Sequence, residues 1–391
     1  MPGILKKCSC CAAKLEHRRK LCGRCKTPYC GPACQKKHWE EGGHDKLCKK
    51  IKKGGGAELY NADTKYKEAV AAAAKKCAED TKGQTCYICM EAVHRRTGEG
   101  LVRGCACGDR DGVASGTTGI AHVSCLAEQA KILVAEALEN KWENARFNPR
   151  WIRWSTCSLC KQDHHGVVAC ALGWACWKTY LGRPEADSTR LAAMTRLGNG
   201  LMPFHPDGAL VVYQATVAAY RRFHPRYPSA QLVCQNNIAG CMSSLGRHAD
   251  AIVIYRAVYE TRLATYGNSD PDTIISMYNL SASLVKWAER EGKPDWFAEA
   301  RSLTRGQIPV AQQVLGPTHE VTLKIRATYA DAIRCDMENC SREEMMEAAS
   351  VLTDVAHTAY RVLGAEHPLT REIRVIIDES VRKGIFDLRQ S

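Results

Sequence analysis

Residues Cys8–Cys48 read CSCCAAKLEHRRKLCGRCKTPYCGPACQKKHWEEGGHDKLC. Eight metal-type ligands stand there in a fixed order: Cys8, Cys11, Cys22, Cys25, Cys30, Cys34, His44 and Cys48. The spacing is CxxC, CxxC, C-x3-C and H-x3-C. Each close pair can supply two of the four donors of a tetrahedral zinc ion, so eight donors suit two ions. No enzyme active site needs that pattern. A segment this short and polar cannot fold on apolar burial alone, so metal binding must supply its folding free energy. The competing reading is a disulfide knot; paired cysteines at two-residue intervals favour metal instead. Cys10 stands as an alternative to Cys8 for the first ligand.

The stretch Tyr29-Cys30, Cys34-Gln35, Trp39, His44 and Cys48 resembles a MYND zinc finger. The resemblance implies interleaved pairs. Cys8, Cys11, Cys30 and Cys34 would hold one zinc, and Cys22, Cys25, His44 and Cys48 the other. It also implies a surface for short, proline-containing peptides. Gly42-Gly43 departs from the family by lengthening the gap between Trp39 and His44, which extends a helix-to-loop turn.

Working outward, 391 residues make room for two to four domains. The 22 cysteines are unevenly spread: only Cys234, Cys241, Cys335 and Cys340 lie beyond residue 180. A metal-built first half therefore precedes an ordinary globular second half. The start, MPGILKKCSC, has no apolar core of the secretory type. The longest apolar run, around Val167–Trp177, is too short to span a bilayer, so no membrane partner is expected. A reducing setting, cytoplasmic or nuclear, is the expectation, because free thiols and zinc thiolates persist there. The formal charge of +13 invites a nucleic-acid reading. Four zinc ions bound by fourteen thiolates would lower it to about +7. The rest concentrates in Arg18–Lys53, where a solvated face accounts for it, so the charge argues against nucleic acid.

Gly54–Gly56 breaks the chain, and Ala57–Lys82 reads as one helix ended by Gly83. It is either a spacer or a helix docked on the next module. That module carries Cys86/Cys89, Cys105/Cys107, His122/Cys125 and Cys157/Cys160, in the order CxxC, CxC, HxxC, CxxC. Eight ligands in four pairs again suit two zincs. The order resembles a RING-CH (RINGv) domain; a PHD finger places its histidine differently. The resemblance implies that Cys86, Cys89, His122 and Cys125 share one zinc, and that Cys105, Cys107, Cys157 and Cys160 share the other. RING-type domains hold a ubiquitin-charged conjugating enzyme by positioning and use no nucleophile of their own. By that resemblance Ile88, inside the first pair, would contact the conjugating enzyme, with Leu159 on the same shallow groove. The chain departs from the active pattern. No tryptophan follows Cys125, no proline follows Cys160, and long gaps precede His122 and Cys157. An amphipathic helix over roughly Leu126–Glu143 fills the second gap. His164 and His165 read as loop residues. Cys170 and Cys176 read as small apolar residues of a helix over Gly166–Tyr180.

From about Arg190 cysteine becomes sparse and long amphipathic stretches recur. Asn237-Ile238-Ala239 aligns with Asn279-Leu280-Ser281 at an offset of 42, and Thr328-Tyr329-Ala330 lies 49 further on, with the extra residues near Glu289–Asp295. Tyr266-Gly267, Leu315-Gly316 and Leu363-Gly364 close the second helix of each unit, where a glycine suits a left-handed cap. Pro271, Pro317 and Pro368 open the next. Two helices repeating at this period make an α-solenoid. The segment NNIAGCMSSLGRHADAIVIYRAVYETRLATYGNSDPDT resembles the tetratricopeptide repeats (TPR) of kinesin light chains. The resemblance implies a concave groove in which Asn237 and Asn279 bond peptide backbone; inter-repeat hydrogen bonding is the competing role.

There is no GxGxxG or P-loop on a strand–helix turn, no GxSxG and no HExxH. The helical pattern after Arg190 leaves no room for the SET region that accompanies some MYND fingers. The fold is read as mainly α: two small cross-braced zinc modules followed by a TPR-like α-solenoid. The modules are 1–53 (MYND-type), 54–83 (helical linker), 84–182 (RING-CH-like with its trailing helix) and 188–385 (helical repeats). The function that follows is a zinc-dependent adaptor for proteins or peptides. The alternative is an E3 ubiquitin ligase recruiting substrate through the repeats. No side chain is assigned a catalytic role.

Overall fold

The computed structural model describes residues 8–13, 15, 20–109, 119–288 and 290–382. The MPGILKK start, Arg18, Glu289 and the end of the repeat region past Arg382 lie outside them. The fold is mainly α. Two compact units form: residues 1–104 with 120–234, and 235–391 with 105–119.

The first unit opens with a two-residue hairpin, β1 (Lys20–Leu21) paired antiparallel to β2 (Pro28–Tyr29), then α1 (Pro32–Glu40) and α2 (His44–Lys53). Its core is Cys8, Leu15, Cys22, Cys25, Tyr29, Cys48, Ile51 and Ala57. Half of these are cysteines, so apolar carbon alone supplies far too little burial to hold the segment. α3 (Ala57–Lys76) follows. It ends six residues before the expected Lys82. Cys77 caps it and is buried, and the weak helix formers Asp80 and Thr81 continue as a turn in which Thr81 Oγ1 donates to the Cys77 carbonyl at 2.9 Å.

β3 (Val102–Arg103) pairs antiparallel with β4 (Ile120–Ala121). α4 (Val123–Glu139) starts directly after His122 and stops earlier than Glu143, because Lys141 at φ 52° turns the chain back. α5 (Asn144–Trp151) leads to α6 (Gly166–Tyr180), with the expected bounds. α6 buries residues on every side, among them Val168, Leu172, Trp174, Cys176 and Trp177, as a central helix must. It packs on α3, on α4 and on α7 (Ser188–Leu201). α3 is therefore docked rather than a free spacer: its Val70 and Ala73 share a core with Val123, Leu126, Val168 and Leu172. The α6–α7 crossing is close on both sides. A Cβ on Gly173 would lie 3.0 Å from the Arg196 carbonyl oxygen, and one on Gly200 2.7 Å from that of Ala169. α8 (Pro206–Phe223) packs on α7, with Tyr213 over Gly198 and its hydroxyl donating to Asn199 Oδ1 at 2.6 Å.

α9 (Pro228–Ser244) runs from the first unit into the second. There α10 (His248–Tyr266), α11 (Pro271–Ala288), α12 (Asp295–Val314), α13 (Glu320–Cys335), α14 (Arg342–Leu363) and α15 (Pro368–Arg382) stack in sequence order. Overlapping clusters join each helix to its neighbours. One unites Ala239, Tyr255, Leu284 and Phe297; the next Ile274, Met277, Ala311 and Ile325; the last Leu323, Leu352, Val355 and Ile373. This is a TPR-like solenoid. The closing glycines differ from expectation in one respect. Gly267 (φ 82°, ψ 172°) and Gly364 (φ 99°, ψ 161°) are extended rather than left-handed helical. That region is open essentially to glycine alone, and it sends the chain straight toward the next helix. Pro271 and Pro368 begin α11 and α15, whereas Pro317 lies in the turn before α13. No helix among the described residues is long and apolar enough to cross a membrane.

Candidate metal centres

Sixteen Cys and His side chains converge into four groups, each with its ligand atoms within 4.8 Å of one another. They are Cys8/Cys11/Cys30/Cys34, Cys22/Cys25/His44/Cys48, Cys86/Cys89/His122/Cys125 and Cys105/Cys107/Cys157/Cys160. Cys8, not Cys10, enters the first group.

The separations are those of donors around a small cation. Zinc–sulfur bonds of about 2.3 Å in a tetrahedron put sulfurs about 3.8 Å apart, and a sulfur and an imidazole nitrogen about 3.5 Å apart. Cys11–Cys30 is 3.7 Å and Cys22–Cys48 is 3.8 Å. His44 Nε2 lies 3.4 Å from Cys25 Sγ and 3.5 Å from Cys22 Sγ; His122 Nδ1 lies 3.4 Å from Cys89 Sγ and 3.7 Å from Cys125 Sγ. All these cysteines are free thiols. The donor sets therefore fit zinc.

The turns carrying the CxxC pairs share one construction. The residue after the second cysteine is left-handed at all four: Ala12, Lys26, Met90 and Lys161, with φ between 59° and 65°. Its N–H donates to the carbonyl of the first cysteine, at 2.9, 3.0, 2.8 and 3.1 Å. The N–H of that first cysteine donates onward to Ala13, Thr27, Glu91 and Gln162. The loop so formed aims both sulfurs at one point. None of the four left-handed residues is glycine, and an L-residue there costs about 1–2 kcal/mol. Lys26→Gly should accordingly leave zinc affinity intact or raise it, whereas Lys26→Val should weaken it several-fold. Competition with a chelating dye would measure both, and equal affinities for the two variants would refute the strain argument.

Electrostatics point the same way. At Cys8 and Cys22 burial raises the thiol pKa, but hydrogen bonds outweigh it, chiefly from the Cys11 and Cys25 backbones, and hold each at about 6. Cys48 is pushed up to about 12 by burial and then by the Cys22 and Cys25 sulfurs. Cys34 is raised by its bonds to the Cys30 and Cys11 sulfurs. Burial raises Cys125 as well, while backbone N–H groups of Cys89 and His122 overcome burial to lower Cys86. Crowded sulfurs cannot all ionise together unless a cation neutralises them.

Sequence reasoning missed the packing around the two histidines. Tyr29, His38 and Trp39 surround the His44 ring, at centroid distances of 6.0, 5.2 and 5.6 Å, and Tyr29 Oη lies 3.0 Å from His38 Nδ1. This collar fixes the imidazole that faces Cys22 and Cys25. His94 packs edge-on against His122 at 5.3 Å, and Glu99 accepts from the Ser124 N–H at 3.0 Å, satisfying a free donor at the start of α4. No spacing rule marks such residues, because their role is contact rather than ligation.

Ile88 lines a cleft of about 680 Å³ with Ile132, Leu133, His94, Arg96 and Glu128. Tyr87 Oη lies 2.9 Å from Ser158 Oγ, tying the 86–89 loop to the 157–160 loop. Leu159 is exposed beside that tie but does not line the cleft. Asn237 on α9 and Asn279 on α11 are half-buried. Nearby, Trp287 Nε1 of α11 donates to Ser243 Oγ of α9 at 2.9 Å, an inter-repeat bond of the competing kind weighed for those asparagines. His164 is buried in the loop before α6, as is Cys176 within the helix; Cys170 is half-buried. Burial lowers the His164 pKa to about 4 and raises that of Cys170 to about 11.

No family model and no curated protein matches the chain. Two similar solved structures are the nearly identical TPR-like repeats of a Podosopora anserina chain ascribed to the kinesin light chains, and a single-substitution variant of them. Each is 16% identical and covers 61% of this chain and 97% of its own, with TM-scores of 0.36 and 0.37. The helix stacking described above rests on this chain's own geometry.

Proposed function

We propose that the chain is a zinc-binding adaptor that joins partner proteins through a MYND-type finger, a RING-CH-like module and a TPR-like stack. The observation that carries this reading is the grouping of sixteen donors at zinc-compatible separations ahead of the helical repeats. Each ion would serve as a structural cross-link, held by four protein ligands with no open position for substrate or water. The residues do the remaining work. The four left-handed turns aim the sulfurs, the Tyr29–His38–Trp39 collar orients His44, α2 carries the last ligand pair of the second group, and the start of α4 presents His122 and Cys125 of the third. Half-exposed Trp39 and Leu21 offer the finger an apolar contact for a short peptide, and the repeats offer a second partner surface. The proposed setting is cytoplasmic or nuclear. Metal analysis of the purified chain should find four zinc ions. Two or fewer, with intramolecular disulfides, would overturn the reading.

One observation favours a second reading, E3 ubiquitin ligase. The cleft beside Ile88 is lined by the apolar Ile132 and Leu133 together with the charged Arg96 and Glu128. Such a site suits an apolar side chain from a conjugating enzyme loop, and the proposed activity would come from holding the thioester in a reactive posture. Ile88→Ala should abolish ubiquitin discharge while leaving peptide binding unchanged. A wild-type chain that discharges none of a panel of charged conjugating enzymes would remove this reading and leave the adaptor standing.

A further inference from the structure

Two turns of the first unit meet at an arginine-rich face. The last turn of α8 and the loop to α9 read Tyr220-Arg221-Arg222-Phe223-His224-Pro225-Arg226-Tyr227. The turn between α6 and α7 carries Arg183, and Arg190 follows on α7. His224 joins them, its Nε2–H donating to the Ala186 carbonyl at 2.6 Å. Arg183 is paired with Asp187 at 2.9 Å, and Arg190 donates to the Arg183 carbonyl at 2.6 Å. Arg221, Arg222 and Arg226 are exposed and have no ion-pair partner among the described residues. By contrast Lys36 and Lys37 on α1 each pair with a glutamate one turn on.

Aromatic rings are interleaved with these cations. The Arg222 guanidinium lies 4.8 Å from the Phe223 ring centroid. His224 packs between Tyr220, at 6.1 Å, and Tyr227, at 5.9 Å. Tyr227 is 65% exposed, far more than burial of its ring would allow, so an aromatic face is held in water on the same short segment as three arginines without ion-pair partners among the described residues. Pro225 and Pro228 stiffen the turn and reduce what ordering it on binding would cost. Helix-dipole complementarity explains Arg221 and Arg222 at the end of α8, but neither Arg226 nor the exposed Tyr227.

We infer that this face binds single-stranded nucleic acid. Arginine forks match phosphate oxygens, and a free aromatic face beside them stacks a base. An acidic protein would satisfy the charges and leave the tyrosine ring without a planar partner. The whole-chain charge argued against nucleic acid because its excess concentrates in Arg18–Lys53; the arginines at 221–226 lie in a different part of the fold.

The test is fluorescence anisotropy of the full, zinc-loaded chain with a labelled oligouridylate about fifteen nucleotides long, with polyglutamate of similar charge as competitor. Binding should weaken on a log–log salt plot with a slope of about −2, as about three single-strand phosphate contacts require. Arg222→Glu with Arg226→Glu should cost at least about tenfold in affinity, and Tyr227→Ala about fivefold or more through lost stacking. All three side chains are exposed, so circular dichroism should show native helix content in each variant. The inference is overturned by no binding at low salt, by binding that the variants leave unchanged, or by polyglutamate competing as well as unlabelled oligonucleotide with Tyr227→Ala silent. That last outcome would assign the face to an acidic protein.

Discussion

Cys22→Ser is expected to unfold residues 8–53 and leave α10–α15 folded. Cys22 is buried within 3.8 Å of Cys48 and 3.5 Å of His44 Nε2. It also opens one of the left-handed turns, accepting from the Lys26 N–H at 3.0 Å. Structural zinc supplies roughly 10–16 kcal/mol of apparent folding free energy in domains of this kind. A whole domain is stable by only about 5–15 kcal/mol, so loss of one ligand from a fully buried site exceeds what the small surrounding core can offset. Zinc content should fall from four to three per chain or lower, and heteronuclear NMR should lose the dispersed amides of this segment alone. Cys10→Ser, at a cysteine outside every group, should do neither. A Cys22→Ser chain with four zincs and native amide dispersion would disprove the ligand assignment.

Gly200→Leu should destabilise the first unit by about 3 kcal/mol or more, near the upper range for overpacking. A Cβ at Gly200 would stand 2.7 Å from the Ala169 oxygen and 2.9 Å from the Cys170 Cα. Both are backbone atoms of α6, a helix packed against three others, so the strain cannot be relieved by rotating a side chain. Gly306→Ala is the matched control. It sits inside α12 with nothing within 4 Å of the added atom, and removing glycine from a helix interior should stabilise by about 1 kcal/mol. Urea denaturation followed at 222 nm would resolve the opposite signs; equal midpoints for Gly200→Leu and wild type would refute the close-crossing argument.

How far these features were legible in the sequence depends on their range. Close cysteine and histidine pairs are local, so spacing marked the sixteen side chains that converge in four groups, and periodicity marked the stack from α9 to α15. The α3 end at Lys76 was not legible. It depends on Cys77 being drawn into a core with residues such as Val102 and Leu172, and Ala-Lys composition carries no trace of that contact. The central place of α6 was hidden for the same reason. Its run from Val167 to Trp177 says that it is buried, but not that α3 and α7 flank it. Glycines signalled turns correctly, yet Gly267 and Gly364 took the extended conformation because the following helix starts within a few residues. The part-buried tie between Tyr87 and Ser158 joins residues 71 positions apart, which no local pattern reaches.

The overlapping clusters of α9–α15 have a mechanical meaning. Each helix packs mainly on its neighbours in sequence, so tension applied at α15 would peel the array from that end, each rupture leaving the rest intact. An assembly tethered through this end would yield in small steps and re-zip when the pull relaxes, behaving as a spring rather than a fuse.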